Sequence, residues 1–170
     1  TDVFGYNATT GTWVKAVNTG QAGFTVVSGT WWPGWQVSIL DIDGLGQYGV
    51  FLDTQVGPQV SCDNNLIRNC HFTRNVQGIS LHGADSNYLV NNRVESNTQS
   101  GINLFSLCDS NVILGNTVLS TTGSGEGINI ANQNTFNIVR NNTVTRNVKG
   151  ILINGSNIDG TMENVVSFNT

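Results

Sequence analysis

Gly101-Ile102-Asn103-Leu104 is one of four stretches built on one pattern: glycine, a branched apolar residue, any residue, then leucine or isoleucine. The others are Gly78-Ile79-Ser80-Leu81, Gly127-Ile128-Asn129-Ile130 and Gly150-Ile151-Leu152-Ile153, and the four glycines stand 23, 26 and 23 residues apart. Ahead of each lies an Asn-rich strand signal: Asn65-Leu66-Ile67-Arg68-Asn69, Asn87-Tyr88-Leu89-Val90-Asn91, Asn111-Val112-Ile113-Leu114-Gly115 and Asn137-Ile138-Val139-Arg140-Asn141. A period of this size marks stacked supersecondary units, each of which buries its apolar edge only against its neighbours. The pattern predicts an all-β solenoid from about Asn65 to the end.

Composition agrees. From Val60 onward there are 22 Asn in 111 residues, and the chain carries 20 Gly with only 11% charged residues. Asn tolerates left-handed backbone and closes tight turns with its own side chain. Such a chain suits short strands joined by frequent turns and disfavours helices. A net charge of −4 with only seven Lys and Arg makes nucleic acid a poor partner. No apolar run is long enough for a membrane-spanning helix. Three Cys are too few for a disulfide framework. Asn7, Asn141 and Asn154 sit in sequons that chance explains in so Asn- and Thr-rich a chain. Thr1 and Thr170 both fall inside a pattern, which reads as a mature or excised piece of something longer.

The vocabulary changes near residues 55–60. All four Trp (Trp13, Trp31, Trp32, Trp35) precede the change and the Asn-rich repeat follows it. We therefore expect a Trp-rich β segment over 1–56 and a parallel β-helix over 57–170. The second region resembles the right-handed parallel β-helix family, in particular its NosD-like, pectate-lyase-like members, through the repeated N-x-I-x-x-N and G-I-x-L strings over about 110 residues. The resemblance implies a right-handed coil of about five rungs. The fold hosts many activities, so it does not imply one of them. The first region resembles one FG-GAP or VCBS-type repeat through Asp2-Val3-Phe4-Gly5-Tyr6-Asn7, Gly11-Thr12-Trp13, Gly29-Thr30-Trp31 and Asp41-Ile42-Asp43-Gly44-Leu45-Gly46. In that family the last segment is an Asp-rich calcium loop. Here Leu45 and Gly49 replace carboxylates, and a hard cation takes six or more oxygens. Val37-Ser38-Ile39-Leu40 and Gly49-Val50-Phe51-Leu52 can equally be read as a first irregular rung.

Alternation along a strand sends neighbours to opposite faces, and rungs repeat about every 4.8 Å. In the Gly-Ile-x-Leu strands the branched residues point in, while Ser80, Asn103, Asn129 and Leu152 point out. Phe72, Val94, Val118, Val144 and Val166 form a second inward column. Two Asn ladders follow: Asn92, Asn116 and Asn142 above Cys70, and Asn75, Asn97, Asn147 and Asn169 with Thr121 as the exception. Stacked amides hydrogen-bond one another and the turn backbone, so these Asn read as scaffolding before they read as sugar ligands.

Four groups carry candidate chemistry. Asp63, Asp85 and Asp109 each lie two residues before the Asn that opens a rung. Carboxylates on successive rungs repel unless screened, protonated or bridged, so the stack is either a calcium site or a set of turn caps. His71 and Arg93 are outward neighbours on adjacent rungs and could meet a sugar, as could the clustered Trp31, Trp32 and Trp35. Cys62 and Cys108 share a register position about 9.6 Å apart across two rungs, beyond disulfide reach. Finally, Tyr88, Val90, Val112, Leu114 and Ile138 fall on the outer face of the first strand, an apolar strip that the N-terminal segment or another chain should cover.

Function is less legible. The leading expectation is an extracellular or cell-surface domain that handles polysaccharide, as a fragment or module of a lyase, hydrolase or epimerase-like protein. The alternative is a non-catalytic structural or adhesive solenoid. No catalytic string selects between them.

Overall fold

A computed structural model of the chain describes residues 48–52, 62–123, 125–155 and 163–170 with their side chains. Asp53 and five earlier strands are described by their backbone: β1 (Val3–Asn7), β2 (Thr12–Ala16), β3 (Ala22–Val27), β4 (Trp35–Ser38) and β5 (Asp41–Asp43). The remaining strands are β6 (Tyr48–Asp53), β7 (Leu66–Arg68), β8 (His71–Thr73), β9 (Gln77–His82), β10 (Tyr88–Val90), β11 (Arg93–Glu95), β12 (Ser100–Phe105), β13 (Val112–Leu114), β14 (Thr117–Leu119), β15 (Glu126–Ala131), β16 (Ile138–Arg140), β17 (Thr143–Thr145), β18 (Lys149–Asn154) and β19 (Val165–Ser167). Every described element is a strand.

From β7 to β18 the chain makes four regular turns of a right-handed parallel β-helix, and β19 opens another. Each turn lays one strand in each of three sheets. The first sheet runs β19-β16-β13-β10-β7-β4-β1-β2, the second β17-β14-β11-β8-β5, and the third β18-β15-β12-β9-β6-β3. The parallel ladders continue below β7: Val37 registers on Ile67, Ile42 on Phe72 and Val50 on Ile79. The compositional break near residue 56 is therefore not a break in the sheets. Asp41–Asp43, which begins the Asp-rich stretch, is a strand of the second sheet. The β1–β2 hairpin pairs antiparallel on β4, which lengthens the first sheet and moves its edge from β4 to β2.

The core is four inward columns, one from each of the first two sheets and two from the third. Ile67, Leu89, Ile113 and Val139 come from the first sheet, Phe72, Val94 and Val118 from the second, and Ile79, Leu81, Ile102, Leu104, Ile128 and Ile130 from the third, all at 0% exposure. In three of the four Gly-Ile-x-Leu strands, at Gly78, Gly101 and Gly127, the glycine is required by close approach, whereas at Gly150 the space is open. A Cβ on Gly101 would stand 2.3 Å from Val118 Cγ1 and 2.6 Å from the carbonyl oxygen of Gly127 in the next turn.

Corners are built from one left-handed residue followed by one inward side chain. Asn91 (φ 54°) precedes Asn92, Ser96 (φ 55°) precedes Asn97, and Ser86 (φ 56°) precedes Asn87. The corner asparagines form ladders in which each amide oxygen accepts the backbone N–H of the turn before it. In one, Asn92 N donates to Asn116 Oδ1 at 2.9 Å and Asn116 N to Asn142 Oδ1 at 2.8 Å. A ladder beyond the two read from sequence joins Asn65, Asn87, Asn111, Asn137 and Asn164 in the same manner.

Two assignments need correction. Val166 registers on Val139 in the first sheet, not above Val144. Asn169 accepts from Asn142 N, so it belongs to the Cys70–Asn92–Asn116–Asn142 ladder. The cause is a longer final link: nine residues separate Asn154 from Asn164, against four or five in the earlier turns. A constant spacing carried past that link shifts every later residue by one strand.

The Asn75–Asn97–Thr121–Asn147 ladder is interrupted at Thr121, whose Oγ1 is buried with no hydrogen-bond partner. Replacing Thr121 by Asn should restore an acceptor for Asn97 N–H and stabilise the fold by about 1 kcal/mol. The check is the urea midpoint. A midpoint at or below that of the wild type would mean the glycine-rich link that follows holds the amide out of line.

Candidate functional site

On the outer face of the third sheet, parallel register stacks Ser80 on Phe51, Asn103 on Ser80 and Asn129 on Asn103, with Phe105 beside them on His82. Aromatic residues flank a small residue there, which leaves a groove. Tyr48, Phe51, Gln77, Ser80, His82, Asn103 and Phe105 line about 260 Å³. Tyr48 and Phe51 stack face to face at 4.3 Å, and the His82 ring tilts against Phe105 at 5.3 Å. Phe105 is 43% exposed at the rim, whereas Ser80 and Asn103 on the floor are 3% and 6% exposed despite pointing outward.

The floor is wired internally. Asn103 Nδ2 donates to Gln77 Oε1 at 3.1 Å and to Ser80 Oγ at 3.4 Å. Asn129 Nδ2 donates to Asn103 Oδ1 at 2.9 Å, and Gln77 Nε2 to Gln99 Oε1 at 3.3 Å. These bonds hold the amides in fixed orientations, which is what a recognition site needs from its polar groups.

The second sheet brings His71 and Arg93 together, as their adjacent rungs require, but around a residue the sequence reading passed over. Glu95 Oε1 meets His71 Nε2 at 2.8 Å and accepts from Arg93 Nε at 3.0 Å, while Arg93 Nη2 donates to Glu95 Oε2 at 2.5 Å. The Arg93 hydrogen bond is the main reason the Glu95 carboxyl lies below its usual range; burial opposes that and His71 adds to it. His71 and Arg93 thus sit on a different sheet from the groove. Only the alternation of Arg93 and Glu95 could have signalled their partner.

Asp63, Asp85 and Asp109 do stack on successive turns, and each caps the next. Asp63 Oδ1 accepts Asp85 N–H at 2.7 Å, Asp85 Oδ1 accepts Asp109 N–H at 2.7 Å, and Asp109 Oδ1 accepts Thr135 N–H at 2.6 Å. Among the described residues, no group of three or more His, Cys, Asp or Glu is placed to hold a metal ion. Burial raises the Asp85 carboxyl above its usual range; the Asp109 backbone bond opposes this, and the Asp63 and Asp109 charges add to it. A folded-state pKa above the unfolded one favours folding at low pH, and that advantage is lost as pH rises through the folded value. Asp85→Asn keeps the acceptor and removes the charge. It should melt higher than the wild type at pH 7 without added cation, and the gap should close below about pH 4, where the unfolded carboxyl is protonated. A gap that persists into acid would refute the electrostatic account.

The remaining candidates divide. Trp31 and Trp32 lie outside the described residues, and Trp35 is described by its backbone alone. Cys62, Cys70 and Cys108 are buried. The apolar strip is real: Tyr88, Val112 and Ile138 stack in one outward column and Val90 on Leu114 in the next. Tyr88 is 49% exposed, Ile138 40% and, continuing the column, Val165 54%.

A family model described as NosD, periplasmic copper-binding protein, matches residues 17–170. No curated protein and no solved structure matches the chain.

Proposed function

The chain belongs to the NosD family of parallel β-helix proteins, and from that premise we propose that it is a carbohydrate-handling module working outside the cytoplasm, at the cell surface or beyond, with the third-sheet groove as its sugar contact. The observation that carries this reading is the pairing of aromatic walls with a fixed amide and hydroxyl floor. Aromatic faces cover the apolar side of a small ring, and a few oriented polar groups set its position. The volume, about 260 Å³, lies below the ~300–1,000 Å³ of drug-sized sites, which suits one ring of a polysaccharide. Among the described lining residues there is one imidazole and no carboxylate. Glycoside cleavage generally takes two carboxylates, so binding is the reading favoured over turnover. The family's description as periplasmic agrees with work outside the cytoplasm, and no helix of the described residues is long and apolar enough to cross a membrane.

Copper, which the family's description names, finds no fitting donor set among the described residues. It is best held by thiolate, thioether or imidazole. Burial pushes the Cys108 thiol up to about 12, so it stays protonated. Cys70 Sγ is turned to the Arg68 carbonyl oxygen at 3.1 Å. His71 is engaged with Glu95 on the second sheet, and His82 packs on Phe105 on the third. Calcium on the Asp63–Asp85–Asp109 stack has better donors, yet one oxygen of each carboxylate is already a backbone cap. We assign these residues a turn-capping role.

The test is binding of the whole chain to an immobilised panel of neutral and acidic polysaccharides, with and without calcium. At least one polysaccharide should be retained, and Phe105→Ala should lower its affinity about tenfold, the worth of about 1.4 kcal/mol of ring contact. Retention unaffected by Phe105→Ala would place any sugar site elsewhere. The apolar strip on the first sheet favours a second reading, a structural solenoid that packs against another surface. Failure of the whole panel would select it.

A further inference from the structure

We infer that the groove takes a neutral sugar unit and discriminates against uronates. This rests on the reading of the groove as a sugar site and specifies its substrate class. A carboxylate only accepts hydrogen bonds, whereas a neutral polyol both donates and accepts. The groove's amide donors are engaged with the protein, while the Tyr48 and Ser80 hydroxyls can both donate and accept, as a polyol requires. Asn103 Nδ2 donates to two protein acceptors, Gln77 Oε1 and Ser80 Oγ, and Gln77 Nε2 is engaged with Gln99. Its acceptors are less committed, since Gln77 Oε1 and Ser80 Oγ can each take a further hydrogen. No lysine or arginine is among the described lining residues. Lys149, in the register column that also holds Gln77, is three turns beyond it and bonded to Glu126 at 3.0 Å.

The surroundings are acidic. The third-sheet strands run directly into the turns that bear Asp85 and Asp109, and Asp63 lies beneath Asp85 in the same stack. The chain as a whole carries −4. A polyuronate approaching this face meets like charge, and the described lining residues offer no Lys or Arg to pair with it. A neutral chain meets aromatic walls and unspent acceptors.

The experiment is calorimetric titration of the whole chain with cello-, xylo- and manno-oligosaccharides of graded length, and with galacturonate oligomers of matched length, each with and without millimolar calcium. At least one neutral series should bind about tenfold or more tighter than galacturonate under both conditions. Phe105→Leu, which keeps apolar bulk but removes the ring, should weaken the binding several-fold, by no more than the roughly tenfold loss of Phe105→Ala, while circular dichroism stays unchanged. Gln77→Lys, at a half-exposed position, should raise galacturonate affinity about tenfold. Galacturonate binding as tight as any neutral series, and weakened in Phe105→Leu, would overturn the neutral class and leave the groove as the site. Failure of Gln77→Lys to gain galacturonate would also overturn the charge argument. Binding indifferent to Phe105→Leu, or none in any series, would overturn both this inference and the sugar site beneath it.

Discussion

Ile128→Asp should unfold the solenoid under conditions in which the wild type is fully folded. Ile128 is at 0% exposure, in register between Ile102 and Ile151. A carboxylate there leaves water without a cation or donor to receive it, a change in the class that costs about 4 kcal/mol or more. Domains of this size are held by about 5–15 kcal/mol, so most of the margin would go. The deficit should be pH-dependent. The buried carboxyl would have a raised pKa in the folded state, so the loss should be smallest in acid and grow as pH rises past the unfolded value near 4. Urea melts at pH 3 and pH 7 read both effects. A wild-type-like melt at pH 7 would mean that the third-sheet strands face the other way, and the groove assignment would go with it.

Asn116→Leu should cost about 3 kcal/mol or more, although it removes no apolar contact. Asn116 Oδ1 accepts from Asn92 N at 2.9 Å and Asn92 Nδ2 at 3.0 Å, and its Nδ2 donates to the Leu89 carbonyl oxygen at 2.8 Å. Leucine is similar in bulk and offers none of these. The Asn92 N–H and the Leu89 carbonyl would be left buried and unpaired, at about 1–3 kcal/mol each. Because stacked units support one another mainly through neighbours, amide exchange should quicken most in the turns bearing Asn92 and Asn142. A loss below about 1 kcal/mol would show that water replaces the amide and that the ladders are not what closes the corners.

These two variants mark what was legible without coordinates. The inward columns of Ile67, Leu89, Ile113 and Val139, and of Ile102 and Ile128, follow from alternation and a repeated motif, because a strand has no freedom to send neighbours to the same face. The Asn ladders were legible for a related reason: a single left-handed residue and an inward amide is a local solution to a corner. Each turn poses the same problem, so the sequence repeats the answer. Where the repeat length changes, local reasoning fails. Val166 and Asn169 were placed one strand away from their true sheet because nothing local records how far the link after Asn154 bulges.

The site shows the same division more sharply. The sequence by itself determined the stacked all-β architecture, the outward direction of Ser80, Asn103 and Asn129, and the meeting of His71 with Arg93, since each depends on alternation or on one step of register. Only the tertiary structure decided that Tyr48, Phe51, His82 and Phe105 surround Ser80, that Glu95 ties His71 to Arg93, and that the aspartates spend an oxygen on backbone N–H groups. Most of those contacts join residues 22 or more positions apart through the lateral packing of neighbouring turns. Periodicity states which face a side chain occupies, whereas the ring that leans over its neighbour, and the oxygen that finds a donor, are set by packing across the stack.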